Sequence, residues 1–191
     1  MKKVLIGGIG NVLLGDDGVG PYIARLLTAY YQFEEGVEVV DLGTPALDLI
    51  DQISAKDAVI LIDCINVDAP PGTVLLYRKA DIMRNCPSVR MDPHSPALVE
   101  TLLAADMFGI APRDLLLVGV VGESYESGCD LSEAVNASIP QAIAEVLGEF
   151  ERLRVSYRFR EDPPDAGIWW TATHHAIPRI SAAHKDSGLR A

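Results

Sequence analysis

The sequence predicts an α/β sandwich around a mostly parallel sheet, and three observations lead there. Short apolar runs, residues 4–9 and 58–63 above all, read as strands buried on both faces. Between such runs lie segments with apolar residues at three- and four-residue steps, the mark of amphipathic helices. One connection, through Pro70-Pro71-Gly72, is too short for a parallel crossover, so the strand after it runs antiparallel to its predecessor. A chain of 191 residues suffices for one such core.

Residues 4–9 are interrupted only by glycine. After Gly15-Asp16-Asp17-Gly18 the period changes, and Val19, Ile23, Leu26, Leu27 and Tyr30 share one helix face. Pro21 fits the first turn of that helix, where its missing N–H costs nothing. Residues 37–42 form a second strand, closed by Gly43-Thr44-Pro45. Residues 46–53 form a short helix, and residues 58–63 a central strand. Residues 73–77 are the strand that reverses. Ser95-Pro96 reads as an N-cap followed by proline at the first helical position, leading into Leu98, Leu102 and Leu103. Residues 114–121 are a fifth strand, and Ser132 opens a long helix to about Arg154, kinked at Pro140. The α/β domain therefore spans residues 1–154. Residues 155–191 keep no period and include Pro163-Pro164 and three of the four histidines. They read as a C-terminal extension, ordered where Ile168, Trp169 and Trp170 dock and partly disordered elsewhere.

Bulk properties narrow the function. A composition of 49% hydrophobic and 23% charged residues is that of a soluble globular protein. The net charge of −11 argues against nucleic acid, whose phosphates are bound by Lys and Arg. Lys2-Lys3 and the following apolar run imitate an export signal. Gly7, Gly8, Gly10 and Asn11 break that run, which ends in Asp16-Asp17 with no small-residue cleavage site. No stretch reaches the ~18 apolar residues of a membrane span. Cys64, Cys86 and Cys129, odd in number and unpaired in spacing, fit reduced thiols in cytoplasm.

The chemistry concentrates in three places. Gly8-Ile9-Gly10 after the first strand suggests a dinucleotide turn, but Leu13 stands where the third glycine belongs. Asp16 and Asp17 also occupy the site a pyrophosphate would need. One of the two suits a helix-capping role; the other suits the crevice at the carboxyl ends of the strands. Asp63 ends a buried strand, where a charge is costly unless paired or coordinated. His94 sits in Met91-Asp92-Pro93-His94-Ser95-Pro96, a loop stiffened by two prolines. Two carboxylates and an imidazole form a mixed oxygen/nitrogen site suited to zinc, nickel or a similar ion. A Cys–His hydrolase using Cys64 or Cys86 is the rival. His174, His175 and His184 lie in the polar extension and read as inert.

The run from Gly8 to Gly20, Gly-Ile-Gly-Asn-Val-Leu-Leu-Gly-Asp-Asp-Gly-Val-Gly, resembles the opening signature of the nickel-iron hydrogenase maturation endopeptidases. The resemblance continues through Asp41-Leu42-Gly43-Thr44, Leu61-Ile62-Asp63, Pro70-Pro71-Gly72, residues 88–94, Leu117-Val118-Gly119-Val120 and Leu131-Ser132. It implies a three-layer α/β/α sandwich with a five-stranded mixed sheet. It also implies an endopeptidase that removes the C-terminal peptide of the hydrogenase large-subunit precursor after nickel insertion. The nickel is carried by the precursor and read by Asp17, Asp63 and His94, with no organic cofactor. The sequence departs from the family in three respects: many relatives carry glutamate at Asp17, Gly122 replaces a frequent proline and is expected to loosen its loop, and the tail is long. A non-catalytic nickel-binding or metal-sensing protein of the same fold is the alternative, with a nucleotide-binding domain behind it.

Overall fold

The computed structural model describes residues 2–45, 48–85, 88–89 and 98–171. Along the chain these form β1 (Val4–Ile9), a 3-10 turn (Gly15–Gly18), α1 (Val19–Tyr30), β2 (Tyr31–Phe33), β3 (Val37–Gly43), α2 (Leu49–Ile53) and β4 (Ala58–Asn66). There follow β5 (Val74–Arg78), α3 (Lys79–Asn85), β6 (Ser88–Val89), α4 (Leu98–Met107), β7 (Asp114–Val121), α5 (Glu133–Leu153) and β8 (Tyr157–Phe159). The main sheet has the order β3-β1-β4-β7-β5, with β6 adding to β4. All pairs along the five-strand path are parallel except β5–β7.

Strand alternation sorts the core into two layers. Val4 and Ile6, Ile60 and Ile62, and Leu116 and Val118 face α1 and α5. Leu5, Leu61 and Leu117 face α2, α3 and α4. The result is the three-layer sandwich expected, its strands apolar because both faces are covered.

The reversed strand runs in the expected direction, but it does not lie beside its predecessor. β5 pairs with β7, while β7 itself pairs with β4. The link passes over the carboxyl end of β7, held by Gly72 N–H to Val121 O at 2.8 Å and Val121 N–H to Thr73 O at 2.9 Å. The sequence reading also contained none of β2, α3, β6 and β8, which are seven residues long or shorter. α5 is capped by Ser132, whose hydroxyl accepts from Val135 N–H at 3.3 Å, and it continues through Pro140 to Arg154 in the left-handed conformation. Residues 46–47 and the Ser95-Pro96 cap lie outside the described residues.

Beyond α5 the chain remains attached. β8 pairs antiparallel with β2, so that Tyr31, Phe150, Tyr157 and Phe159 form an aromatic cluster. Ile168 and Trp170 are buried in the α1–α5 layer, whereas Trp169 is exposed.

Candidate active site

The chain leaves β1 toward β3 on one side, while β4 lies on the other. A crevice therefore opens outside the carboxyl ends of β1 and β4, the switch point where open α/β sheets take ligands. The amino end of α1 sits directly on those ends. A Cβ at Gly20 would overlap the carbonyl oxygens of Ile9 and Ile62. Gly10, at φ 137°, turns so closely under Asp17 that a Cβ there would strike the Asp17 carbonyl. The glycines of this turn thus serve contact between backbones, rather than access for a phosphate.

Asp16 and Asp17 are adjacent and both buried, yet they do different work. Asp16 Oδ1 accepts from Ser132 N–H at 2.6 Å; Oδ2 accepts from Glu123 N–H at 2.8 Å and Ser124 N–H at 2.9 Å. Both oxygens are spent tying the loop between β7 and α5 to the 3-10 turn. With three backbone amides donating to it, this carboxylate is the structural member of the pair. Asp17 Oδ2 accepts from Asn11 N–H at 2.8 Å, and its charge acts on Asp63.

Asp63 is 0% exposed at the carboxyl end of β4. Its Oδ1 accepts from Cys64 N–H at 2.7 Å. Its Oδ2, also buried, has no hydrogen-bond partner among the described residues. Burial pushes the Asp63 carboxyl well above the usual carboxylate range, and the neighbouring Asp17 pushes it further, against the opposing Cys64 N–H. A buried carboxylate beside another, with one oxygen unfilled, is a site prepared for a proton or a cation.

His94 lies outside the described residues, but the chain on either side of it is placed. Ile65 pairs with Val121 on its β7 side and with Val89 of β6 on the other, the lane β1 vacates after Gly8. β6 is antiparallel, so its carboxyl end points back along β4 toward Asp63. His94 follows Val89 by five residues, a span of at most ~18 Å. Leu98, where α4 begins, is buried in the α2–α4 layer. Asp17 and Asp63 are thus brought to one crevice, and the strand leading to His94 borders it. Among the described residues no group of three metal-ligating side chains occurs.

The rivals fare differently. Cys64 points into the α1–α5 layer, and its Sγ lies 3.6 Å from the Tyr125 hydroxyl. Burial pushes its thiol up to about 12, with the neighbouring carboxylates adding to the effect, so it holds its proton and is no nucleophile at neutral pH. Cys86, His174, His175 and His184 lie outside the described residues. Gly122 N–H donates to Ile65 O at 3.3 Å, a bond proline could not make, and the next two amides bind Asp16. Asp16's role was undetectable from the sequence, because its three amides come from residues more than a hundred positions away.

Comparison with known proteins agrees with this architecture. The sequence model of the hydrogenase maturation protease family matches residues 21–149. The hydrogenase expression/formation protein HoxM of Azotobacter vinelandii is 34% identical over 146 residues, covering 76% of this chain and 70% of its own. The hydrogenase 2 maturation protease of Escherichia coli is 32% identical over 146 residues, covering 76% and 88%. Among solved structures, the hydrogenase maturating endopeptidase HybD of E. coli superposes with a TM-score of 0.77 at 31% identity, over 84% of this chain and 99% of that one. The [NiFe] hydrogenase maturation protease HybD of Thermococcus kodakarensis gives 0.59 at 28% identity, over 76% and 98%.

Proposed function

This chain belongs to the hydrogenase maturation protease family, and on that footing we propose that it removes a C-terminal peptide from a nickel-iron hydrogenase large-subunit precursor, recognising nickel already bound there. The observation that carries the reading is the buried Oδ2 of Asp63, without a hydrogen-bond partner among the described residues, beside Asp17 in the switch-point crevice. The nickel is part of the substrate. Asp17, Asp63 and His94 are the proposed ligands, two oxygens and one nitrogen that suit a borderline divalent ion. On this reading the arriving ion fills the open oxygen of Asp63. The ion then anchors the precursor so that the scissile peptide lies over the crevice. Bound there, it would supply polarisation of the carbonyl or of a water, with one of the carboxylates as base.

Cytoplasm is the proposed compartment, supported by the free thiols of Cys64 and Cys129. No helix among the described residues is long and apolar enough to cross a membrane.

The ligand assignment is tested by Asp17→Asn, Asp63→Asn and His94→Ala, each assayed on nickel-loaded precursor. Each is expected to lose at least ~100-fold in cleavage rate while keeping its far-ultraviolet circular dichroism. Normal trimming by all three would remove the assignment.

A further inference from the structure

After α5 the described chain runs from the far end of α1 to the loop between β7 and α5. Arg160 N–H donates at 2.8 Å to the carbonyl of Tyr30, the last residue of α1, at the end of the molecule away from the site. Eleven residues later, Thr171 Oγ1 donates to Asp130 Oδ1 at 2.6 Å. Asp130 stands two residues before Ser132, whose N–H is held by Asp16. Between these points Ile168 and Trp170 are 5% and 7% exposed, so the segment is pinned to the α1–α5 layer as it climbs.

The loop it reaches, residues 122–132, wraps the turn that carries Asp17. Gly15 N–H donates to Gly128 O at 2.8 Å, Asp16 N–H to Ser124 O at 3.0 Å, and Gly128 N–H to Leu13 O at 3.0 Å. Glu123, Glu126, Ser127, Gly128 and Asp130 are all exposed, the condition under which a loop opens locally. Asp16 fastens it from inside. The Thr171 hydroxyl, donating to a carboxylate, fastens it from outside.

We infer that residues 160–171 form a strap that holds the 122–132 loop in place at the crevice, with Thr171 as a positioning residue acting through Asp130. The consequence for precursor binding rests on the function proposed above; the consequence for the loop does not. A strap that merely secured its own end would leave the loop amides untouched when Thr171 loses its hydroxyl.

The test uses the full chain and the variants Thr171→Val, Asp130→Ala, their double mutant and Thr171→Ser. Amide hydrogen exchange is read at Glu123, Ser124 and Ser132, together with KM and kcat on nickel-loaded precursor. Exchange and KM are each expected to rise about three- to tenfold in both single variants, the size of one hydrogen bond. The double mutant should go no further, Thr171→Ser should restore both values, and kcat should stay within about twofold, since no group that touches substrate is removed. Unchanged loop exchange in Thr171→Val, additive effects in the double mutant, or a loosened loop with unaltered KM would each overturn the inference. If the loop loosens as expected but even the unmodified protein leaves the precursor whole, the strap stands and the proposed function falls.

Discussion

The carboxylates at the carboxyl ends of β1 and β4 take their roles from what each oxygen meets. Asp16 is saturated by three backbone amides, and Asp63 has one oxygen that meets nothing among the described residues. Keeping Asp63 therefore costs stability. Its folded-state pKa is raised by burial and by Asp17, so the folded protein binds this proton more tightly than the unfolded chain. Stability is accordingly lost as pH climbs from the ordinary carboxylate range through the raised pKa. Asp63→Asn is expected to melt higher than the parent at pH 7 to 8, with the gap closing toward pH ~4, while cleavage disappears. A lower melting point at neutral pH would show that the charge is satisfied after all. The sequence suggests that one of Asp16 and Asp17 caps the following helix, but neither does: the 3-10 turn and α1 have no side-chain cap, and Asp16 instead holds the amides of Glu123, Ser124 and Ser132. That role depends on a loop more than a hundred residues away, beyond the reach of local pattern.

At the level of elements, the seat of α1 governs the crevice. The long strands and helices were readable because their burial is periodic, and Val4–Ile9 and Asp114–Val121 have the bounds expected. β2 and β8 escaped because strands of three residues carry too little periodicity, and their pairing joins positions over a hundred residues apart. The neighbour of β5 escaped because a short link fixes a strand's direction, not its lane. Gly20→Ala tests the seat: its methyl would meet main-chain oxygens that cannot move aside, so a loss of ~3 kcal/mol or more is expected in a denaturant titration. A second element contact lies away from the site. Glu149 of α5, almost fully buried, accepts from Arg78 of β5 at 2.6 Å and from Arg152 at 2.7 Å. Burial alone would raise its pKa, but the Arg152 and Arg78 hydrogen bonds outweigh that and hold it below the usual carboxylate range. Its contribution is thus present above that range and lost as pH falls through the depressed pKa. Glu149→Gln is expected to cost about 1–3 kcal/mol at neutral pH, between exposed and buried pairs because both arginines are half exposed, and little in acid. A cost independent of pH would assign it to packing.

For the whole molecule, sheet order, charge and crevice agree. β1 and β4 are neighbours whose connections diverge, and the acidic turn after one meets the acidic end of the other. That juxtaposition disfavours a phosphate ligand and suits a cation, which the proposed function takes to be carried by the precursor. The measurement that bears on it most directly is the mass of a large-subunit precursor incubated with this chain, with and without bound nickel. The expected result is loss of a single C-terminal peptide from the nickel-loaded form alone. Equal trimming of both forms, or nickel-dependent binding without any shortening, would contradict it.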